Sequence, residues 1–542
     1  MASVSRAGGL RSRGPGVSLA HLDPGLLRVL AYASAIGSEF SFDLLRAALG
    51  SDEERLAESL ERIIDRGLLR ERPGGGRFAF VEEEDRAYVY RSMTASRLRV
   101  LHRKVAEALE RLEPTPSPST IAELGRHYFL GKVPERSYAY NRRAAEAARA
   151  AGDLPAAIHA LERAFVSLGS LSGDRTAERE EIPETLGDLS YAVGAFRAAD
   201  RYYREALELL PRDRTRARAR LVLARAEVAR EELRPDAAVA GANEALRLFE
   251  TEPDPYGTAQ AYRLLGRVDF QRGRYRDALD EAMRALEALP PGADASVLGR
   301  LSIDLGNAFT FLGAGVRPVA VEWYQRAVER LRAAHNWPEL ARALHHLGTA
   351  VGEQRPDEGL EYLEQAREAA TQAHDSRAIG RALLSGVELR IALGQLEEAE
   401  RDNDQAGRLL EGLNDALGAE QVTLNRGRLA EKRGRWDDAA QAYASAVDLA
   451  RRLSLAADEA DAQLYLARLR YKTRDVAGAQ AAFERATELK VTELSPRLEP
   501  AYAELRRQLA AAAAGEPEAG AASHDEADAE DRARVSSRED GR

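Results

Sequence analysis

Nine histidines, no cysteine and a large number of carboxylates are what this 542-residue chain offers for catalytic or metal chemistry. Without cysteine there is no disulfide, no thiolate nucleophile and no Cys-rich zinc or iron–sulfur site. No two histidines have ligand spacing: His345 and His346 are adjacent on a predicted helix and point to different sides, so they cannot share a metal. No G-x-S-x-G elbow occurs, and Ser167, Ser170 and Ser172 fall where a helix gives way to the Gly173-Asp174 loop. The nearest approach to a phosphate-binding loop is Gly125 to Lys132, followed by Val133 and with five intervening residues where that motif has four. It lies inside an amphipathic helix, where no phosphate cradle forms. At 31% charged residues, carboxylate pairs on helix faces read as i,i+4 partners of arginine rather than as a catalytic dyad. The expectation is a chain with no enzymatic activity, no cofactor and no metal site.

With 44% apolar residues, the composition is that of an ordinary water-soluble protein. No apolar run approaches the ~18 residues a membrane span needs. Arg6, Arg11 and Arg13 are followed by no apolar stretch of the kind a secretory signal carries, so the expected location is the cytoplasm. The formal charge is −10, and residues 511–542 contribute half of it, with nine acids against four arginines. No basic domain stands out, which disfavours nucleic acid and a membrane as partners.

A repeat organises most of the chain. Small residues seven apart recur at Ala157/Ala164, Ala199/Ala206, Ala238/Ala245, Ala278/Ala285 and Ala320/Ala327, and continue at Gly359/Ala366, Ala399/Ala406, Ala439/Ala446 and Ala479/Ala486. Successive first members lie 39 to 42 residues apart. Several pairs bracket a larger residue, as at Leu161, Tyr203, Tyr324, Leu363, Tyr443 and Phe483. Small residues one helical stripe apart admit a close neighbour, and the larger side chain fills the space beside them. A turn glycine precedes five of the units, at Gly152, Gly194, Gly273, Gly394 and Gly434, and a Leu-Gly pair lies on the preceding helix at Leu186, Leu265, Leu305 and Leu347. Pro211 and Pro290 close two units.

This pattern resembles the tetratricopeptide repeat, with a period of about 40 residues in place of the usual ~34. The pattern degenerates around 226–245 and 387–406, where the Leu-Gly pair is missing and Asn403 replaces the aromatic. The resemblance implies antiparallel helix pairs stacked over 120–512 into a right-handed α-solenoid with a concave groove, closed by a capping helix near 500–512. In that family the groove positions, counted from each Leu-Gly pair, would be Tyr191, Arg263, Arg267, Phe270, Asn307, Arg342 and His345. Arginine can fork onto a carboxylate or phosphate, asparagine can pair with both groups of a peptide bond, and the aromatics would add apolar contact.

Residues 20–113 follow another plan. Asp23-Pro24 opens a helix through Ile36, Phe42 to Leu49 and Asp52 to Arg66 form two more, and Leu68–Arg70 with Arg77–Phe80 form a hairpin across Pro73 to Gly76. Three helices followed by a hairpin describe a winged helix, joined by one basic helix (Arg91, Arg97, Arg99, Arg103, Lys104) to the repeats. The order of "SEFSFDLLRAAL", "LAESLERIIDRGLLRE", "GGGRFAF", "LHRKVAEALERL" and "ELGRHYFLGKV" resembles the winged-helix and helical-repeat part of STAND-type signalling ATPases, while the nucleotide-binding core is absent. The third helix carries three arginines against six acids, net −3, which suits a protein contact better than a DNA major groove. Residues 1–19 and 513–542 are expected to be disordered.

Three function classes remain. The first is a non-enzymatic scaffold or sensor in signalling, binding a peptide or protein segment in the groove, with a separately encoded NTPase or kinase as a further partner. The second is a transcription regulator contacting DNA through the winged helix. The third is the C-terminal half of a split STAND-type ATPase.

Overall fold

A computed structural model describes residues 22–413, 415–490 and 499–514. The chain divides into two compact units, one ending at Leu264 and the other beginning at Leu265. The disorder expected for 1–19 and 513–542 lies outside the described residues except at Ala513 and Ala514, which are helical and end the last helix.

The first unit opens with α1 (Pro24–Ile36), whose cap Asp23 accepts a hydrogen bond from the Leu26 amide at 2.9 Å. Then come β1 (Glu39–Ser41), α2 (Phe42–Leu49), α3 (Glu53–Asp65), β2 (Leu69–Glu71) and β3 (Arg77–Phe80). The strands form an antiparallel sheet in the order β1-β3-β2, with Phe40 opposite Phe78. Leu26, Leu30, Leu45, Leu56, Leu60 and Ile63 are sealed inside, and their burial against the sheet holds this part together. Strand β1 is an addition to the expected hairpin. Three residues carry no alternation to read, and what recruits them is the free edge of β3. The single linking helix expected after the sheet is instead two, α4 (Glu83–Arg91) and α5 (Ala95–Leu112). They part because Thr94 takes an extended conformation (φ −66°, ψ 151°) and its hydroxyl caps the Arg97 amide.

Antiparallel helices follow: α6 (Pro118–Leu130), α7 (Pro134–Ala150), α8 (Leu154–Leu168), α9 (Thr176–Ala192), α10 (Phe196–Leu209), α11 (Thr215–Glu231) and α12 (Pro235–Thr251). Helix α13 (Pro255–Gln271) contains the division between units. The second unit continues with α14 (Tyr275–Ala288), α15 (Ala295–Leu312), α16 (Arg317–Ala333), α17 (Trp337–Gly352), α18 (Pro356–Gln372) and α19 (Ser376–Ala392). Its remainder is α20 (Leu396–Gly412), α21 (Ala416–Lys432), α22 (Trp436–Arg452), α23 (Ala456–Lys472), α24 (Val476–Glu488) and α25 (Glu499–Ala514). From α6 to α12, and again from α14 to α25, each helix packs on the next, and α15, α17, α19 and α21 also touch one another in series, which makes them the inner row of the second unit.

The Leu-Gly signature has a steric cause. A Cβ on Gly306 would stand 2.5 Å from the Tyr324 ring, and one on Gly427 2.5 Å from the Tyr443 ring. Glycine on the first helix therefore makes the room that the aromatic of the second helix fills. Asn403 stands where that aromatic is missing. It is buried, and its amide donates to the Val422 carbonyl at 3.1 Å, so a hydrogen bond takes the place of ring packing. The turn after α11 shows the opposite departure: Leu233 occupies the left-handed conformation (φ 56°) that Gly194 and Gly273 adopt in the flanking units.

Candidate functional site

Of the seven positions expected in a groove, Tyr191 and Arg263 belong to the first unit and the other five to the second. Tyr191 is half-buried, and its hydroxyl donates to Glu231 at 3.1 Å. Burial, then Glu227 and Glu231, push the phenol up to about 12. Arg263 and Arg267 are half-buried and engaged with neighbouring groups. Phe270 meets Phe311 edge-on at 5.1 Å and Tyr275 at 5.2 Å, while Tyr275 and Phe311 stack at 5.0 Å. This trio is partly open to water, with Phe311 half exposed.

Asn307 accepts from the Tyr324 hydroxyl at 2.7 Å, so its carbonyl is committed to the fold. Arg342 lies 2.8 Å from Glu339, yet the two are misaligned for a hydrogen bond, and its Nε and Nη2 are buried with no acceptor among the described residues. His345 reaches across to α19, its Nε2 lying 2.9 Å from the Ser385 hydroxyl. His346 turns the other way and stacks on Tyr324 at 5.6 Å. Burial, with Arg381 nearby, lowers His345 to about 4, so its ring is neutral at pH 7.

The His345–Ser385 contact begins a row that continues beyond the expected positions. Residues 385, 425 and 465 follow one another at 40-residue spacing, as do 388, 428 and 468. Glu388 on α19 accepts from Arg428 on α21 at 2.7 Å. The Arg428 guanidinium lies 5.5 Å from the Tyr465 ring on α23, and Arg468 lies 5.6 Å from the same ring. Tyr465 is stacked on Tyr443 at 5.5 Å, and the Tyr443 hydroxyl donates to Glu431. One continuous string of contacts thus joins α19, α21 and α23 along their inner face. Elsewhere in this unit, burial followed by Asp458 and Asp461 raises Glu420 to about 8, and neither of its oxygens finds a hydrogen-bond partner among the described residues.

The first unit holds a second polar string, between α1, α4, α5 and α6. Arg126 donates to the Ile36 carbonyl at 3.0 Å and to His127 Nε2 at 2.9 Å. Arginine can only donate, so His127 carries its proton on Nδ1 and gives it to His102 Nδ1 at 2.9 Å. His102 then donates from Nε2 to the Tyr90 hydroxyl at 2.8 Å. Burial first, and Arg126 second, lower His102 to about 4 and hold His127 well below the ordinary range. Both rings are neutral at pH 7, which this order of donors requires.

Two sequence features find structural reasons here. A Cβ on Gly125 would stand 2.7 Å from the Asn141 side chain, so the glycine of the near-miss phosphate loop serves helix packing. On α3, Arg62 is paired with Asp23 at 2.6 Å, and Glu53 takes Arg46 at 2.5 Å. Among the described residues no group of three or more His, Cys, Asp or Glu side chains could hold a metal, and no helix is long and apolar enough to cross a membrane.

Paired antiparallel helices with glycine-for-ring complementarity define a helical-repeat protein. Residues 217–290 match the tetratricopeptide repeat family. None of the curated proteins compared with the chain matches it. Among solved structures it is similar to a STAND protein with a tetratricopeptide repeat sensor from Pyrococcus horikoshii (15% identity, TM-score 0.45, 82% of this chain and 67% of that one). It is also similar to aspartyl phosphate phosphatase F from Bacillus subtilis (15% identity, TM-score 0.45, 69% and 95%). A third is a Rap protein complexed with competence and sporulation factor (15% identity, TM-score 0.43, 61% and 99%).

Proposed function

We propose that this chain is a non-enzymatic binding scaffold or sensor of intracellular signalling, whose inner helices take an extended peptide or protein segment. The observation that carries this reading is the repeated inner row of the second unit, where polar side chains on successive helices touch from His345 through Arg428 to Arg468. Such a row offers donors at regular intervals along a path an extended chain can follow. Arg267, Phe270, Asn307, Arg342 and His345 extend the same kind of surface toward α13, and Tyr191 and Arg263 are the counterparts in the first unit. The helices and sheet over 22–91 are read as a winged-helix module, supported by the strand order β1-β3-β2. Its net −3 third helix, with Arg62 already paired, suits docking of a separate signalling protein such as an NTPase or kinase rather than DNA.

The test is selection of a displayed library of random nonapeptides on the full chain, followed by binding of the selected peptides to the Arg267→Glu, Asn307→Ala double variant. Enrichment, with affinity reduced at least tenfold in the variant, supports the reading. No enrichment removes the scaffold assignment. Unchanged affinity in the variant removes α13 and α15 from the binding surface.

A further inference from the structure

The charge along the α19–α23 row is not what a protein of net −10 would lead one to expect. Its positions recur every 40 residues: 381, 421 and 461; then 385, 425 and 465; then 388, 428 and 468; then 432 and 472. These positions hold five cations and only two acids. Neither acid pairs with the remaining four cations, because Glu388 is bound to Arg428 at 2.7 Å and Asp461 is buried. Arg381, Lys432, Arg468 and Lys472 are exposed and have no carboxylate partner among the described residues. Elsewhere in the unit many arginines are paired, as Arg377 is with Asp415 and Arg390 with Asp402. Unpaired like charges on neighbouring helices repel one another, and an anion laid between them would reverse the sign of that interaction.

Two of the four cations are also held in place. Arg468 lies against the Tyr465 ring, which is braced by Tyr443, and Lys472 lies 4.8 Å from the Trp436 ring. A long side chain supported on an aromatic face has less rotamer freedom to lose on binding. Guanidinium forks match carboxylates and phosphates alike. At the ordinary helix separation of ~8–10 Å, Arg381 on α19 and Arg468 on α23 stand roughly 20 Å apart, which an extended peptide covers in about six residues. The carboxylate of Glu388, which reaches from α19 to Arg428 on α21, borders this path and is half exposed. It would repel an unbroken polyphosphate backbone but not a peptide whose acids are spaced apart.

Resting on the peptide-binding reading above, we propose that the inner face of α19, α21 and α23 selects an extended acidic segment. Carboxylates about six residues apart engage Arg381 at one end and Arg468 with Lys472 at the other, while Arg428 stays tied to Glu388 and Tyr465 as the fixed middle of the row.

The test uses the full chain and four fluorescent probes. Three are twelve-residue Gly/Ser peptides: one with Glu at positions 3 and 9, one with Gln at both, and one with Glu at 3 and 4. The fourth is a twelve-nucleotide single-stranded DNA. The peptide with spaced glutamates is expected to bind at least tenfold tighter than the Gln peptide and several-fold tighter than the one with adjacent glutamates. Added salt should erode that preference. The preference should vanish in Arg381→Gln, Arg468→Gln and partly return in Arg381→Lys, Arg468→Lys, with thermal midpoints unchanged because both positions are exposed. Equal affinity for the Glu and Gln peptides, or tighter binding of the DNA, overturns the inference. If the nonapeptide selection succeeds while the Glu preference is absent, only the acidic assignment falls. If that selection also fails, the scaffold reading falls with it.

Discussion

Two strings of polar contacts cross neighbouring helices in this protein, and they end differently. In the first unit, Tyr90, His102, His127 and Arg126 run to the Ile36 carbonyl, every hop has a donor facing an acceptor, and both histidines are almost wholly buried. In the second, the row through Glu388, Arg428 and Tyr465 ends at Arg468, which faces water with no carboxylate of its own among the described residues. A closed string stabilises, because breaking one link strands buried groups. A string that ends in an unpaired cation contributes little to the fold and keeps its last bond available to another molecule.

Acid provides the widest separation between the two. His102 takes up a proton near 6.5 in the unfolded chain but only near 4 in the fold. The unfolded chain therefore binds more protons between these values, and the contribution is complete above about pH 6.5 and disappears as pH falls toward 4. The loss from this one ring is about 3 kcal/mol. Protection factors of the α5 and α6 amides, corrected for the intrinsic slowing of exchange in acid, should fall over that window, and pH-independent protection there would show that the string does not hold its rings neutral. Next in size, Arg126→Met should cost about 2 kcal/mol in urea unfolding, since it leaves the Ile36 carbonyl and His127 without their donor. Arg468→Met should cost less than about 0.5 kcal/mol. Equal losses would erase the distinction between the strings. Tyr90→Phe should follow at about 1 kcal/mol, against no measurable change for Tyr465→Phe. Smallest of all, Leu233→Gly in the first unit and Ser454→Gly in the second should each gain about 0.5 kcal/mol, because both sites hold left-handed residues and lie in exposed turns (φ 56° and 57°). A gain in one unit alone would mean that the turns, too, distinguish the two regions.

Helices announced themselves well in the amino-acid sequence because caps and breakers are local. Asp23-Pro24 and Gly50 mark the ends of α1 and α2 as the structure has them. Strand β1 and the break at Thr94 depend on a neighbouring edge and on one extended residue, which no periodicity records. The inner row was only half legible. Counting from Leu-Gly pairs reaches Arg342 and His345 and stops where the pair is missing in α19. The regular spacing of Glu388, Arg428 and Arg468 was nonetheless present in the sequence. What was lacking is the rotational setting of those helices, which contacts such as Glu388 with Arg428 reveal. The two paired histidines lie 25 residues apart with nothing in between to link them.

Asn403 introduces a seam. Its amide holds the Val422 carbonyl, but among the described residues its own buried oxygen has no partner, and the cost of that stranded acceptor falls on the joint between α20 and α21. Helices joined this way separate more readily than their neighbours, and opening should start there. The segment proposed to lie from α19 across α21 to α23 would work like a suture over that seam. Occupancy can then be followed through slowed exchange of the α21 amides as well as through the charges the segment neutralises.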